Sequence, residues 1–72
     1  MKDFSEVLHA LRKEKRVTQK EIGELLGISE RAVRYYETGE RRPDFDGLLK
    51  LADYFQVSLD YLVGWSEQRQ RR

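Results

Sequence analysis

A chain of 72 residues with net charge +1, one histidine and no cysteine has room for one small domain and one core. It has no thiols for disulfides or thiolate metal sites, and a zinc site would have to rest on carboxylates, so no metal and no cofactor are expected. Hydrophobic residues make up 39% and charged residues 38%, which suits a helical core under a charged surface. No run approaches the roughly 20 apolar residues that span a bilayer. The opening Met1-Lys2-Asp3-Phe4 lacks the apolar segment of a signal peptide, so a cytoplasmic protein with no membrane partner is expected.

Phe4, Val7, Leu8 and Leu11 recur at i, i+3, i+4 and i+7, the stripe of a first amphipathic helix, with Asp3 or Ser5 placed to cap it. His9 lies off that stripe and reads as an ordinary surface side chain. The run Arg12-Lys13-Glu14-Lys15-Arg16 closes the helix, where cations offset the negative pole of its dipole. The same cations suit phosphate equally well. Val17 is expected to be buried.

Thr18, with Glu21 three residues on, forms a capping box that opens a second helix carrying Ile22, Leu25 and Leu26. Gly27 supplies the left-handed backbone that ends it, Ile28 pins the turn, and Ser29 caps a third helix, Ser29–Glu37. Two short helices joined by so tight a connection make a helix-turn-helix. On the third helix Val33 and Tyr36 face inward, leaving Glu30, Arg31, Arg34 and Tyr35 on the other side. That face offers two guanidiniums that fork onto guanine edges or phosphate, a carboxylate that accepts from cytosine N4, and a phenol. Charged outward residues alone would suit any solvated bundle; the glycine turn between two capped helices favours a helix that enters the DNA major groove.

Thr38-Gly39 closes the third helix, and Pro43 holds Arg42 extended, so Arg41 and Arg42 project from the loop. Glu37 is assigned an internal partner, a cation of the first helix, because a carboxylate facing phosphate would be repelled. Asp44 caps a fourth helix with Phe45, Leu48, Ala52 and Phe55 as its core stripe, widened by Leu49 and Leu51. Ser58 caps a last short helix with Leu59 and Leu62 inward, and Gly64 stops it. From Trp65 to Arg72 the chain becomes polar and basic and is expected to fray. Residues 10–42 carry nine Lys and Arg against six Asp and Glu, an excess of +3, whereas residues 43–64 carry one Lys against four Asp, or −3. Attraction for phosphate is therefore local to the helix-turn-helix half.

The motifs Thr18-Gln19, Gly27-Ile28-Ser29, Tyr36-Glu37-Thr38-Gly39, Arg42-Pro43 and the run from Leu51 to Leu62 resemble, in order and spacing, the helix-turn-helix domain of phage Cro and cI-type repressors, the XRE family. The resemblance covers about residues 4–64. It implies an all-α, five-helix, lambda-repressor-like DNA-binding domain over residues 1–64, followed by the tail 65–72. The implied function is sequence-specific transcriptional regulation, with a double-stranded operator as partner and no small-molecule substrate. Ser29, Glu30, Arg31, Arg34 and Tyr35 would read bases or adjacent phosphates. Gln19, Lys20, Arg41 and Arg42 would hold the backbone, with bracing of the recognition helix as the alternative role for Gln19. Such helices work in pairs on half-sites about one DNA turn apart, so a homodimer is expected, with Tyr61, Val63 and Trp65 as its contact. Where the family usually carries alanine this chain has Gly23, which keeps a close helix crossing and costs up to roughly 1 kcal/mol in a helix interior.

An enzyme is not expected, since no nucleophile is paired with a base and the histidine is isolated. The alternative from another class is a protein-interaction module that binds a partner regulator or a toxin–antitoxin component. Near-neutral charge and the adjacent Tyr35 and Tyr36 leave it open.

Overall fold

The computed structural model describes residues 3–70. It contains α1 (Phe4–Lys15), α2 (Gln19–Leu26), α3 (Glu30–Thr38), α4 (Phe45–Phe55) and α5 (Leu59–Leu62), with no strand among the described residues. Every helix starts as its sequence dictates. Asp3, Thr18, Ser29, Asp44 and Ser58 each have extended backbone and accept a hydrogen bond from the N–H three residues on. Such a cap contributes about 1 kcal/mol. The Thr18 box is complete, because Glu21 Oε1 accepts in return from the Thr18 N–H at 3.1 Å.

Gly27 ends α2 at φ +70°, a conformation that a side chain would strain. Two other helices end on left-handed residues that are not glycine, Arg16 and Gln56. In both cases the last carbonyls are satisfied by backbone N–H groups that fold back, as from Val17 to Arg12 and from Val57 to Ala52. The Gln56 amide adds a bond to the Asp53 carbonyl.

The core gathers Phe4, Val7, Leu8 and Leu11 of α1 around Ile22, Val33, Leu51, Ala52, Phe55, Val57 and Leu62. Val17 is only half-buried against it. Tyr36 leans edge-on toward Phe4, with ring centroids 6.4 Å apart. The α4 stripe is narrower than its spacing suggests: Phe45 is 63% exposed and Leu49 44% exposed, so the inward set is Leu48, Leu51, Ala52 and Phe55. Phe45 opens α4, where side chains lean back toward the helix N-terminus, and its ring is not among those packed on the core. Leu49, one turn further, continues the same outer row. α2 and α3 pack on each other, α1 packs on α3 and α5, and α4 packs on α5 and α2. No helix among the described residues is long and apolar enough to cross a membrane.

Beyond α5 the chain turns back. The Arg69 carbonyl accepts from the Ser58 N–H at 2.8 Å, and the Arg69 guanidinium forks onto Glu14 at 2.7 and 2.9 Å. The segment expected to fray from Trp65 is therefore tied down at Arg69, through a partner 55 residues earlier in the chain. Arg71 and Arg72 lie outside the described residues.

At Gly23 the helix backbone runs close to the turn that follows it. A Cβ there would stand 2.8 Å from the Ile28 carbonyl oxygen, a backbone atom. Gly23→Val is accordingly expected to displace the turn and cost about 2–3 kcal/mol, the usual scale of overpacking. Urea unfolding checks this, and an unchanged midpoint would mean that the turn yields freely.

Candidate nucleic-acid interface

α3 has a locked inner side and an open outer one. Val33 is fully buried, whereas Ser29, Glu30, Arg31 and Arg34 are exposed and Tyr35 is half-buried. The Ser29 hydroxyl accepts from the Ala32 N–H at 3.1 Å, which leaves its own O–H to donate outward. Arg31 Nε donates to the Tyr35 hydroxyl at 2.9 Å, and the Arg41 guanidinium lies 5.1 Å from the centre of the same ring. Arg31, Tyr35 and Arg41 are thus brought together. Lys20, Arg34 and Arg42 are exposed and join no hydrogen bond, ion pair or ring contact with them.

The inner side of α3 is held by Glu37. Its carboxylate accepts from Arg12 Nε and from Arg12 Nη2 at 3.0 Å, and from Gln19 Nε2 at 3.2 Å. His9 Nδ1 lies 2.9 Å away from it. Arg12 also donates to the Val17 carbonyl at 3.1 Å. The Glu37 side chain is 6% exposed and that of Arg12 11%, so this is a nearly buried ion pair. Burial pushes the Glu37 carboxyl up, but hydrogen bonds from Arg12, His9 and Gln19, with the charge of Arg12, outweigh it and hold the group below its ordinary range. Glu37 has the first-helix cation that its sequence position called for.

One detail differs from the sequence reading, and another selects between its two alternatives. His9 is not a bystander, since its half-exposed ring meets Glu37. Gln19 turns its amide toward Glu37, the bracing role, so a phosphate would be left the second amide hydrogen or the backbone N–H groups at the α2 N-terminus. His9 and Arg12 stand three apart on one face of α1, and that spacing opposite an inward glutamate was the available signal. Near this brace, Lys13, Arg16, Thr18, Gln19 and Glu30 line a shallow depression between the end of α1 and the start of α2. No group of three or more potential metal ligands is gathered among the described residues. Tyr61 and Val63 are half-buried, Trp65 is 78% exposed, and the Tyr61 hydroxyl accepts from Arg69 Nε at 3.0 Å.

A family model described as helix-turn-helix matches residues 8–62, and the chain belongs to that family. It is 43% identical over 60 residues to the uncharacterized HTH-type transcriptional regulator YqaE of Bacillus subtilis (strain 168), covering 83% of this chain and 52% of that protein. It is 34% identical over 60 residues to repressor protein C2 of Salmonella phage P22, covering 83% of this chain and 28% of the repressor. Among solved structures, a transcriptional regulator from Listeria innocua superposes with a TM-score of 0.86 at 42% identity, covering 92% of this chain and 62% of that one. The P22 c2 repressor in complex with a synthetic operator superposes with a TM-score of 0.82 at 30% identity, covering 92% of this chain and all of that one. The chain spans about half the length, or less, of the first curated relatives it matches.

The Glu37 cluster makes stability depend on pH with a definite sign. Its folded pKa lies below the ordinary 4.5, so its contribution is complete above that pH and disappears as pH falls through the lower folded value. Glu37→Gln is expected to be less stable by about 3 kcal/mol at neutral pH, the scale for breaking a buried pair. Urea titrations at several pH values should show wild type and variant converging as the solution is acidified.

Proposed function

We propose that this chain is a sequence-specific, double-stranded-DNA-binding transcriptional regulator, a repressor that occupies its operator as a dimer. The observation that carries this reading is the outer face of α3. Glu30, Arg31 and Arg34 are exposed there, while Val33 and Glu37 fasten the opposite side. In the major groove, Arg31 and Arg34 fork onto guanine O6 and N7 or onto phosphate, and Glu30 accepts from cytosine N4. Ser29 and Tyr35 reach neighbouring base edges or phosphates from the two ends of the same face. Lys20, Arg41 and Arg42 fix register on the DNA backbone, and Gln19 does so while bracing Glu37. The likeness to a repressor solved with its operator supports the DNA-binding reading. The protein acts in the cytoplasm, without catalysis.

Dimerisation is proposed through Tyr61, Val63 and Trp65. The 78% exposure of the Trp65 indole supports this, since a large aromatic side chain left in water favours a partner surface.

Duplexes selected from a random pool give the test. Arg31→Ala is expected to relax preference at one base pair by about 1–3 kcal/mol. Arg42→Ala should instead weaken all duplexes alike and reduce the salt slope by about one. Affinity that ignores salt in the unaltered protein would remove the DNA role. Trp65→Glu is expected to spare binding to a single half-site and to abolish cooperative occupancy of two, measured by gel shift.

A further inference from the structure

We infer that Tyr35 is a positioning residue, clamping the base-reading Arg31 and the backbone-holding Arg41 into one stack, and does not itself contact a base. The inference rests on the DNA-binding reading and revises the part of Tyr35 within it. Three observations converge on this residue. Its hydroxyl accepts from Arg31 Nε at 2.9 Å. Both guanidiniums lie near its ring, Arg31 at 5.7 Å and Arg41 at 5.1 Å from the centroid. Its carbonyl takes the backbone N–H groups of Glu40 at 3.0 Å and Arg41 at 3.3 Å, together with the Thr38 hydroxyl at 3.2 Å. Side chain and backbone of one residue thus hold both α3 and the start of the following loop.

The choice of nitrogen matters. A guanidinium that recognises guanine or phosphate end-on uses its two terminal Nη groups as a fork. Arg31 gives the phenol its Nε and keeps both Nη groups for DNA. Its rotamer freedom is reduced before binding, which lowers the ordering cost at recognition. Two cations on one ring repel each other, and the negative face of the ring offsets that only in part. An arriving phosphate or guanine edge relieves the repulsion, so the stack is best satisfied on DNA. Arg34 has no such hold among the described residues.

The test has two arms. In the free protein, hydrogen exchange at Arg31 Nε, followed by NMR, should be slower than at Arg34 Nε and should quicken by roughly tenfold in Tyr35→Phe, the scale of one net hydrogen bond. On the selected duplex, Tyr35→Phe should lose roughly tenfold in affinity with an unchanged salt slope. In an Arg31→Ala background the same change should have no further effect. Tyr35→Leu, which removes the ring, should in addition lower the salt slope by about one as Arg41 is released. Equal losses from Tyr35→Phe in both backgrounds would mean that the phenol touches DNA itself, and the inference would be overturned. Unchanged Nε exchange in Tyr35→Phe would overturn it too. A protein without salt-dependent duplex affinity would refute the DNA reading, while the exchange arm, which needs no DNA, would still decide whether the clamp exists.

Discussion

The carboxylate of Glu37 is the joint on which the arrangement of α1, α2 and α3 depends. α3 is a helix of nine residues, too short to persist in water by itself, so its direction is set wholly by tertiary contacts. Apolar packing at Val33 is non-directional and would allow α3 to slide or roll. Arg12 at the end of α1, Gln19 at the start of α2 and His9 on α1 all converge on Glu37, and hydrogen bonds have directions. A carboxylate at 6% exposure would be costly without partners. Here no buried side-chain nitrogen or oxygen lacks one among the described residues.

The ion pairs of the molecule differ greatly in what they can do. Arg12–Glu37 is nearly buried and geometrically complete, so breaking it strands a charge out of water. Arg69–Glu14 has the better-looking fork, yet its side chains are 47% and 43% exposed, and such pairs contribute about 0–1 kcal/mol. The first fixes where α3 points; the second only favours one placement of the chain after α5. The carbonyl of Arg69 and the hydroxyl of Tyr61 supplement it, since no single one of these contacts would order the segment.

What could be read from the sequence was whatever chemistry closes within about four residues. Four of the five caps, the Thr18–Glu21 box, the Gly27 turn and the inward pair Val33 and Tyr36 are of that kind, while the first helix left Asp3 and Ser5 both as candidates. The need for a small residue at Gly23 came from the family resemblance, which implies alanine there, and not from any pattern within the chain. The left-handed ends at Arg16 and Gln56 were not, because nothing in those residue types requires positive φ; the surrounding contacts impose it. Phe45 and Leu49 misled for a related reason: helical spacing marks a stripe but not how far round the axis the neighbouring helices cover it. At the interface, the internal task of Glu37 followed from charge logic alone. Its particular partners, and the gathering of Arg31, Tyr35 and Arg41, depend on where three separate segments come to rest.

That internal pairing bears on a protein whose net charge is only +1. Arg12 and Glu37 cancel one another inside the fold, so the +3 excess of residues 10–42 is carried by side chains outside that pair. Arg69, from beyond that stretch, neutralises Glu14 and removes one more negative charge from the balance of this half. At physiological salt a charge is felt over about 8 Å, so the acidic residues of α4 and α5 subtract from the phosphate attraction only where they come that near. A nearly neutral chain can therefore present a distinctly positive local field, and what decides it is which carboxylates are already answered from within.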